Sequence, residues 1–236
     1  MTEESSDVIR RDKYSAGPAR GFLSSIDNDT RIFQADLAVD RAHVVMLTEQ
    51  DIIPRTDASA ILSGLEAIES AGYDALPSGE DVHAAIETAV INEIGERGGR
   101  MHTARSRNDE VSACIRYRLR NDLLTLLSSL LQFRETCLYV ASDHVTTEMP
   151  GYTHLQPAQP ITVAHWVLSY EQALRRDTAR VLDAYTRVNQ SPLGATAFAG
   201  TPFPIDRERT ADLLGFDSVI TNSIDAVTGR DFLQES

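Results

Sequence analysis

Lysine is all but missing from this sequence: Lys13 stands alone, and the other 21 cationic residues are arginine. Against 35 aspartates and glutamates the formal net charge is −13, and no basic patch offsets it, which argues against a nucleic-acid partner. An acidic surface nearly free of lysine fits a salt-rich cytoplasm, where repulsion between like charges is screened. Cysteine is almost as scarce. Cys114 and Cys137 lie too far apart along one expected helix to pair, so two reduced, partly buried thiols are expected. No stretch nears the ~18 apolar residues of a membrane span. The opening MTEESSDVIRRDKY also lacks the apolar core of a secretory signal, so a cytoplasmic protein with no membrane partner is expected.

What is present is helical periodicity, in a chain of 236 residues with room for one or two domains. Arg31 to Gln50 sets Phe33, Leu37, Val44 and Leu47 on one stripe, and Pro54 ends it. Asp57 can cap a second helix through Ile61, Leu65 and Ile68, stopping near Gly72. A third, from Asp81 to Ile94, carries Ile86 and Val90 and breaks at Gly98-Gly99. From Asn108 to Ser142 there is neither glycine nor proline, which predicts a rod of roughly 50 Å. Leu119, Leu123, Leu126, Leu130 and Phe133 form its stripe. Prolines 150, 157 and 160 mark an irregular loop before a second rod, Thr162 to Asn189. After a Gly/Pro-rich loop (191–204), Asp206 opens a short helix closing at Gly215, and Ser223 or Asp225 opens another. No multi-strand sheet is expected. The reading is all-α: a small N-terminal helical domain (1–105), then the first long helices of a bundle (106–236) that ends truncated.

Three stretches can carry chemistry. In His102-Thr103-Ala104-Arg105-Ser106-Arg107-Asn108-Asp109, two arginines, hydroxyls and an amide precede a long helix. A helix N-terminus attracts anions, and arginine forks onto carboxylates. The plainer reading is a capped helix start whose arginines pair with neighbouring acids. In Met149-Pro150-Gly151-Tyr152-Thr153-His154-Leu155-Gln156-Pro157, a histidine able to exchange protons near neutral pH sits in a proline-braced loop. A lone loop histidine is more often only hydrogen-bonded. In Asp81-Val82-His83, with Glu87 one turn on, a histidine could be oriented or a cation held. No metal pattern is completed, since HExxH is missing and His43, His144 and His165 fall in separate segments. Walker, GxGxxG and GxSxG motifs are missing as well, so no cofactor is implied.

Together the segments EDVHAAIE, HTARSRNDEV, MPGYTHLQPAQPITVAHW, PLGATAFAGTPFPIDRERTADLLGF and NSIDAVTGRDF resemble the argininosuccinate lyases of the fumarase/aspartase superfamily. FLSSIDNDTRIFQADLAVDRAH is similar to their early substrate-contacting stretch. The resemblance implies a carbon–nitrogen lyase of arginine biosynthesis, which eliminates fumarate from argininosuccinate through an aci-carboxylate intermediate. It implies a homotetramer of long helices whose active sites are shared between subunits. By the same resemblance His154 is one of the acid/base pair, its role left open. Thr153, Asn108, Ser106, Arg107 and Ser25 then contact substrate, with His83 and Gln156 as weaker candidates. The family's mobile Gly-Ser-Ser-x-x-Met-Pro-x-Lys-x-Asn loop is not in this sequence, so the chain by itself is expected to be inactive. Smaller departures are Ala104 where many relatives have glycine and Glu110 where many have glutamine. The alternatives are a sister lyase acting on adenylosuccinate or aspartate, and a non-catalytic crystallin-like or relic protein.

Overall fold

The computed structural model describes residues 24–236; the polar opening stretch with Lys13 lies outside them. Helices dominate. After a 3₁₀ turn at Ile26–Arg31 come α1 (Phe33–Glu49), α2 (Arg55–Ala71) and α3 (Val82–Ile94). A second 3₁₀ segment, Glu96–His102, leads to α4 (Arg107–Asp143), a rod of 37 residues. Asp81 caps α3 by accepting from the Ala84 N–H at 2.7 Å. Asp57 does not cap α2. Pro54, with φ of −63°, already sets the helix entry, and Asp57 lies in the first turn, where it pairs with Arg100.

Contacts divide the chain into two compact units. One holds the described residues up to Arg118 together with Asn189–Gly229; the other holds Leu119–Val188 and Arg230–Ser236. In the first, Leu37, Val44, Leu47, Ile61, Leu65, Val82, Ile86 and Val90 interlock with no exposure, and Phe33 meets Tyr73 edge to face at 5.6 Å. Each such side chain contributes about 1.5–3 kcal/mol by leaving water. Another face of α1 is lined with small residues, Ala35, Val39 and Ala42, which admit Ala113 and Cys114 of α4 and Leu193. Also in this unit are α6 (Arg207–Leu214), capped by Asp206, and α7 (Ser223–Thr228), capped by Asn222 rather than by Ser223 or Asp225. A parallel bridge pairs β3 (Gln190–Ser191) with β4 (Ser218–Val219).

In the second unit the rest of α4 pairs with α5 (Val163–Val188), followed by the short α8 (Asp231–Gln234). Arg134 reaches across from α4 to Glu171 at 2.9 Å and Thr178 at 3.5 Å. The expected apolar stripe of α4 is split: Leu123 is buried, whereas Leu126 and Phe133 are exposed. The residues between the rods are not an irregular loop. They form an antiparallel hairpin of β1 (Glu148–Thr153) and β2 (Gln156–Thr162), the clearest local departure from an all-helical reading. Prolines are tolerated because a two-stranded ribbon has only edges. Gly151 sits at the bulge, where a Cβ would stand 2.7 Å from the Gln159 carbonyl oxygen.

Leu65→Ala should lower unfolding stability by about 2–5 kcal/mol, since the cavity opens against the α1–α3 core. Chemical denaturation followed by circular dichroism measures this; a loss below about 0.5 kcal/mol would contradict the packing described.

Candidate functional site

The start of α4 gathers the candidate anion-binding residues of the first unit. Ser106 Oγ accepts from the Asn108 N–H at 3.3 Å, and Asn108 lies exposed with its amide donating to the Ala197 carbonyl at 2.9 Å. Arg107 stands between two acids, Glu110 at 3.0 Å and Asp81 at 3.5 Å. Its charge is therefore already shared, and carboxylates raise its pKa further despite burial. Ala104, just before, has φ of 59°, a left-handed backbone that favours glycine. Ser25 is joined to the same region: its hydroxyl donates to Asp29 at 2.8 Å, and Asp29 accepts from the Val82 N–H at 3.0 Å.

Beneath this surface lies a fully buried charge network. Arg105 contacts Asp40 at 2.6 Å and Glu110 at 2.9 Å; His83 Nδ1 contacts Asp36 at 2.8 Å and faces Glu110 at 3.9 Å. Burial alone would push His83 down, but the Asp36 and Glu110 carboxylates raise it to about 9. Burial pushes Asp40 up, whereas the cations Arg105, His83 and Arg107 hold Glu110 down against the same burial. His102 is driven down to about 4 and His43 to about 3 by burial and by Arg105. Neutral His43 therefore donates from Nε2 to the Thr103 carbonyl at 2.8 Å. His83 is thus a network residue more than an open one.

Two donor sets within this network, Asp36–His83–Cys114 and Asp36–Asp40–Glu110, are compact enough to ligate a cation. Arg105, Arg107 and protonated His83 already balance those acids, so an ion there would have to displace them. Cys114 donates to Asp36 at 3.3 Å, and burial raises its thiol well above the ordinary value, so it is no ready nucleophile.

Thr153, His154 and Gln156 belong to the second unit. Thr153 pairs with Gln156 across the hairpin, leaving His154 and Leu155 as its two-residue connection, with φ of 50° and 62°. A two-residue turn with positive φ at both positions follows the twist of the flanking strands, as a type I′ turn does. The turn carries the imidazole outward, and Leu155 beside it is 93% exposed.

A family model described as "Lyase" matches residues 22–236. This chain belongs to that lyase family. Among its relatives, the protein named argininosuccinate lyase from Natronomonas pharaonis is 68% identical over 234 residues, 99% of this chain and 48% of that protein. Those of the same name from Haloarcula marismortui and Methanococcoides burtonii are 67% and 50% identical, covering 97% and 98% of this chain and 46% and 48% of theirs. The lyase chain thus spans about half the length of these relatives. Of solved structures, an EDDS lyase variant with bound fumarate superposes with a TM-score of 0.79 at 37% identity, over 92% of this chain and 44% of that one. A fumarate lyase:delta crystallin from Brucella melitensis shares the fold, with a TM-score of 0.68 at 20% identity over 88% and 52% of the two chains.

Sequence reasoning singled out Arg105 to Asn108 at the head of the lyase's α4 and His83 of α3, and missed Asp36 and Asp40 of α1, which pair with His83 and Arg105 beneath them. The signal was available: Asp36, Asp40 and His43 recur at helical spacing and interrupt an apolar helix. Because the folded pKa of His83, about 9, exceeds the ordinary 6.5, its contribution is complete below pH 6.5 and lost as pH rises through 9. Stability of this lyase chain should therefore fall over that window, His83 contributing on the order of 3 kcal/mol. His83→Gln should be less stable at pH 6 and show a flatter decline in denaturant melts; an unchanged slope would remove His83 from the network's titration.

Proposed function

We propose that this lyase chain supplies part of an argininosuccinate lyase, the carbon–nitrogen lyase that releases fumarate and leaves arginine. The carrying observation is the head of α4. Ser106 and exposed Asn108 sit, with Arg107, at the positive end of a 37-residue helix, in a chain 68% identical to a protein of that name. A tricarboxylate suits such a site, because the helix dipole, an amide and a guanidinium all favour negative charge. Thr153 and Gln156 flank His154, which exchanges a proton with the substrate during elimination, while Ser25 and Asn108 bind it. The carbanion-like charge is met by preorganised donors, so acid/base chemistry and charge stabilisation suffice without cofactor or metal. The working form is a cytoplasmic homotetramer in which neighbouring subunits complete each site, in a salt-adapted arginine-producing cell.

A second reading is favoured by the likeness to the EDDS lyase with bound fumarate: a lyase of the same chemistry acting on another amino-dicarboxylate. A substrate panel followed at fumarate's ultraviolet absorbance separates the two readings.

In the full-length enzyme, His154→Ala should reduce kcat on argininosuccinate by about 10²- to 10⁴-fold, with the helical signal intact because this side chain is exposed. Unchanged turnover would sink the assignment of the histidine. The 236-residue chain alone should release no fumarate from argininosuccinate; measurable release would show that it needs no further segment.

A further inference from the structure

We propose that Asp109 is a positioning residue of the site at the head of α4: its carboxylate ties Ser106 and the loop Leu193–Gly200 into one rigid cradle around Asn108. This rests on the functional reading above and extends it to a residue that touches no substrate itself. One oxygen of Asp109 accepts from the Ser106 N–H at 3.1 Å. The other accepts from the N–H groups of Gly194 and Thr196, both at 2.9 Å. Asp109 is fully buried, and these three donors come from two segments more than eighty residues apart in sequence. Ionised carboxylates accepting from N–H groups make the stronger class of hydrogen bond, and burial removes competing water.

The loop so held is strained and tightly fitted. Thr196 has φ of 54°, unfavourable for a β-branched residue, and its hydroxyl donates to the Gly200 carbonyl at 2.7 Å. Gly194, with φ of 83°, lies against the Arg207 side chain, where a Cβ would meet Cγ at 2.5 Å. Arg207 in turn donates to the carbonyls of Leu193 at 2.8 Å and Ile220 at 2.9 Å, closing the loop from beneath. On the opposite side Ala197 presents its carbonyl to the Asn108 amide at 2.9 Å. Asn108 is thereby aimed by a loop whose conformation the Asp109 carboxylate enforces. In such an arrangement a loosened loop leaves Asn108 free to rotate and weakens substrate binding without removing any binding group.

Asp109→Asn keeps the volume but replaces one acceptor oxygen with an NH₂ that faces N–H donors, so either the Ser106 tie or the loop tie is lost. The test uses the full-length enzyme at temperatures well below melting, with three readouts. Amide hydrogen exchange should quicken in Asp109→Asn either at Ser106 or at Gly194 and Thr196, according to which side the remaining carbonyl oxygen serves. The KM for argininosuccinate and the Kd for fumarate should rise about tenfold, the equivalent of one lost charge-assisted hydrogen bond. Adding Thr196→Gly, which deletes the hydroxyl tie to the Gly200 carbonyl and frees the backbone, should loosen the loop further and raise KM and Kd again. Unchanged exchange at all three amides would overturn the tie, and quickened exchange with unchanged KM and Kd would reduce Asp109 to a packing role. If the wild-type enzyme neither turned over argininosuccinate nor bound fumarate, the functional reading would fall with the positioning role. The exchange result would report separately on the loop.

Discussion

Arg105 is buried as fully as a core leucine, and its charge is tolerable there only because Asp40 and Glu110 stand within 2.9 Å. Taking a guanidinium and two carboxylates out of water costs several kcal/mol per ion, so the network adds little to net stability relative to apolar packing. What it does is fix register. Asp36 and Asp40 come from α1, His83 from α3, Glu110 from the first turn of α4 and Arg105 from the segment just before it. A shift of α4 against either helix would strand a buried charge at a cost of about 3–5 kcal/mol. The residues next in sequence, half-buried Ser106 and Arg107 and exposed Asn108, inherit that fixed position. An apolar core could have held the same helices together while letting them slide.

Much of the helical layout was legible in the sequence because it follows from apolar spacing and from glycine and proline. The α1–α3 stripe, the α3 cap at Asp81 and the α6 terminators Asp206 and Gly215 are all local signals. The α2 start was misread, because a proline can set a helix entry that a downstream aspartate merely decorates. The β1–β2 hairpin was hidden for a different reason. Proline-rich strands lack the alternating β-branched pattern, and the turn is built from His154 and Leu155 rather than the Asn-Gly or Asp-Gly that advertises a hairpin. The candidate site residues rest on motif and resemblance. The buried carboxylates Asp36 and Asp40 were not singled out, since nothing local tells a helix-face carboxylate which face is covered.

Backbone strain marks the same loops by an independent route. Among the described residues, the non-glycines with positive φ are Asp51, Ala104, His154, Leu155 and Thr196. Asp51 follows α1, where a short polar side chain suits a helix exit. The other four are Ala104 ahead of α4, His154 and Leu155 at the hairpin turn, and Thr196 in the loop that Asp109 holds. Each conformation costs on the order of 1 kcal/mol or more and persists only where surrounding bonds over-determine it. For Thr196 those bonds are visible, namely the Asp109 carboxylate and the Gly200 carbonyl. For His154 the hairpin register alone sets the turn, with Thr153 paired to Gln156 immediately below. A flexible loop could have carried the same imidazole more cheaply. Strain at a non-glycine turn is justified where the direction of one side chain matters more than the stability of the segment holding it, and the proton transfer proposed for His154 would set that condition.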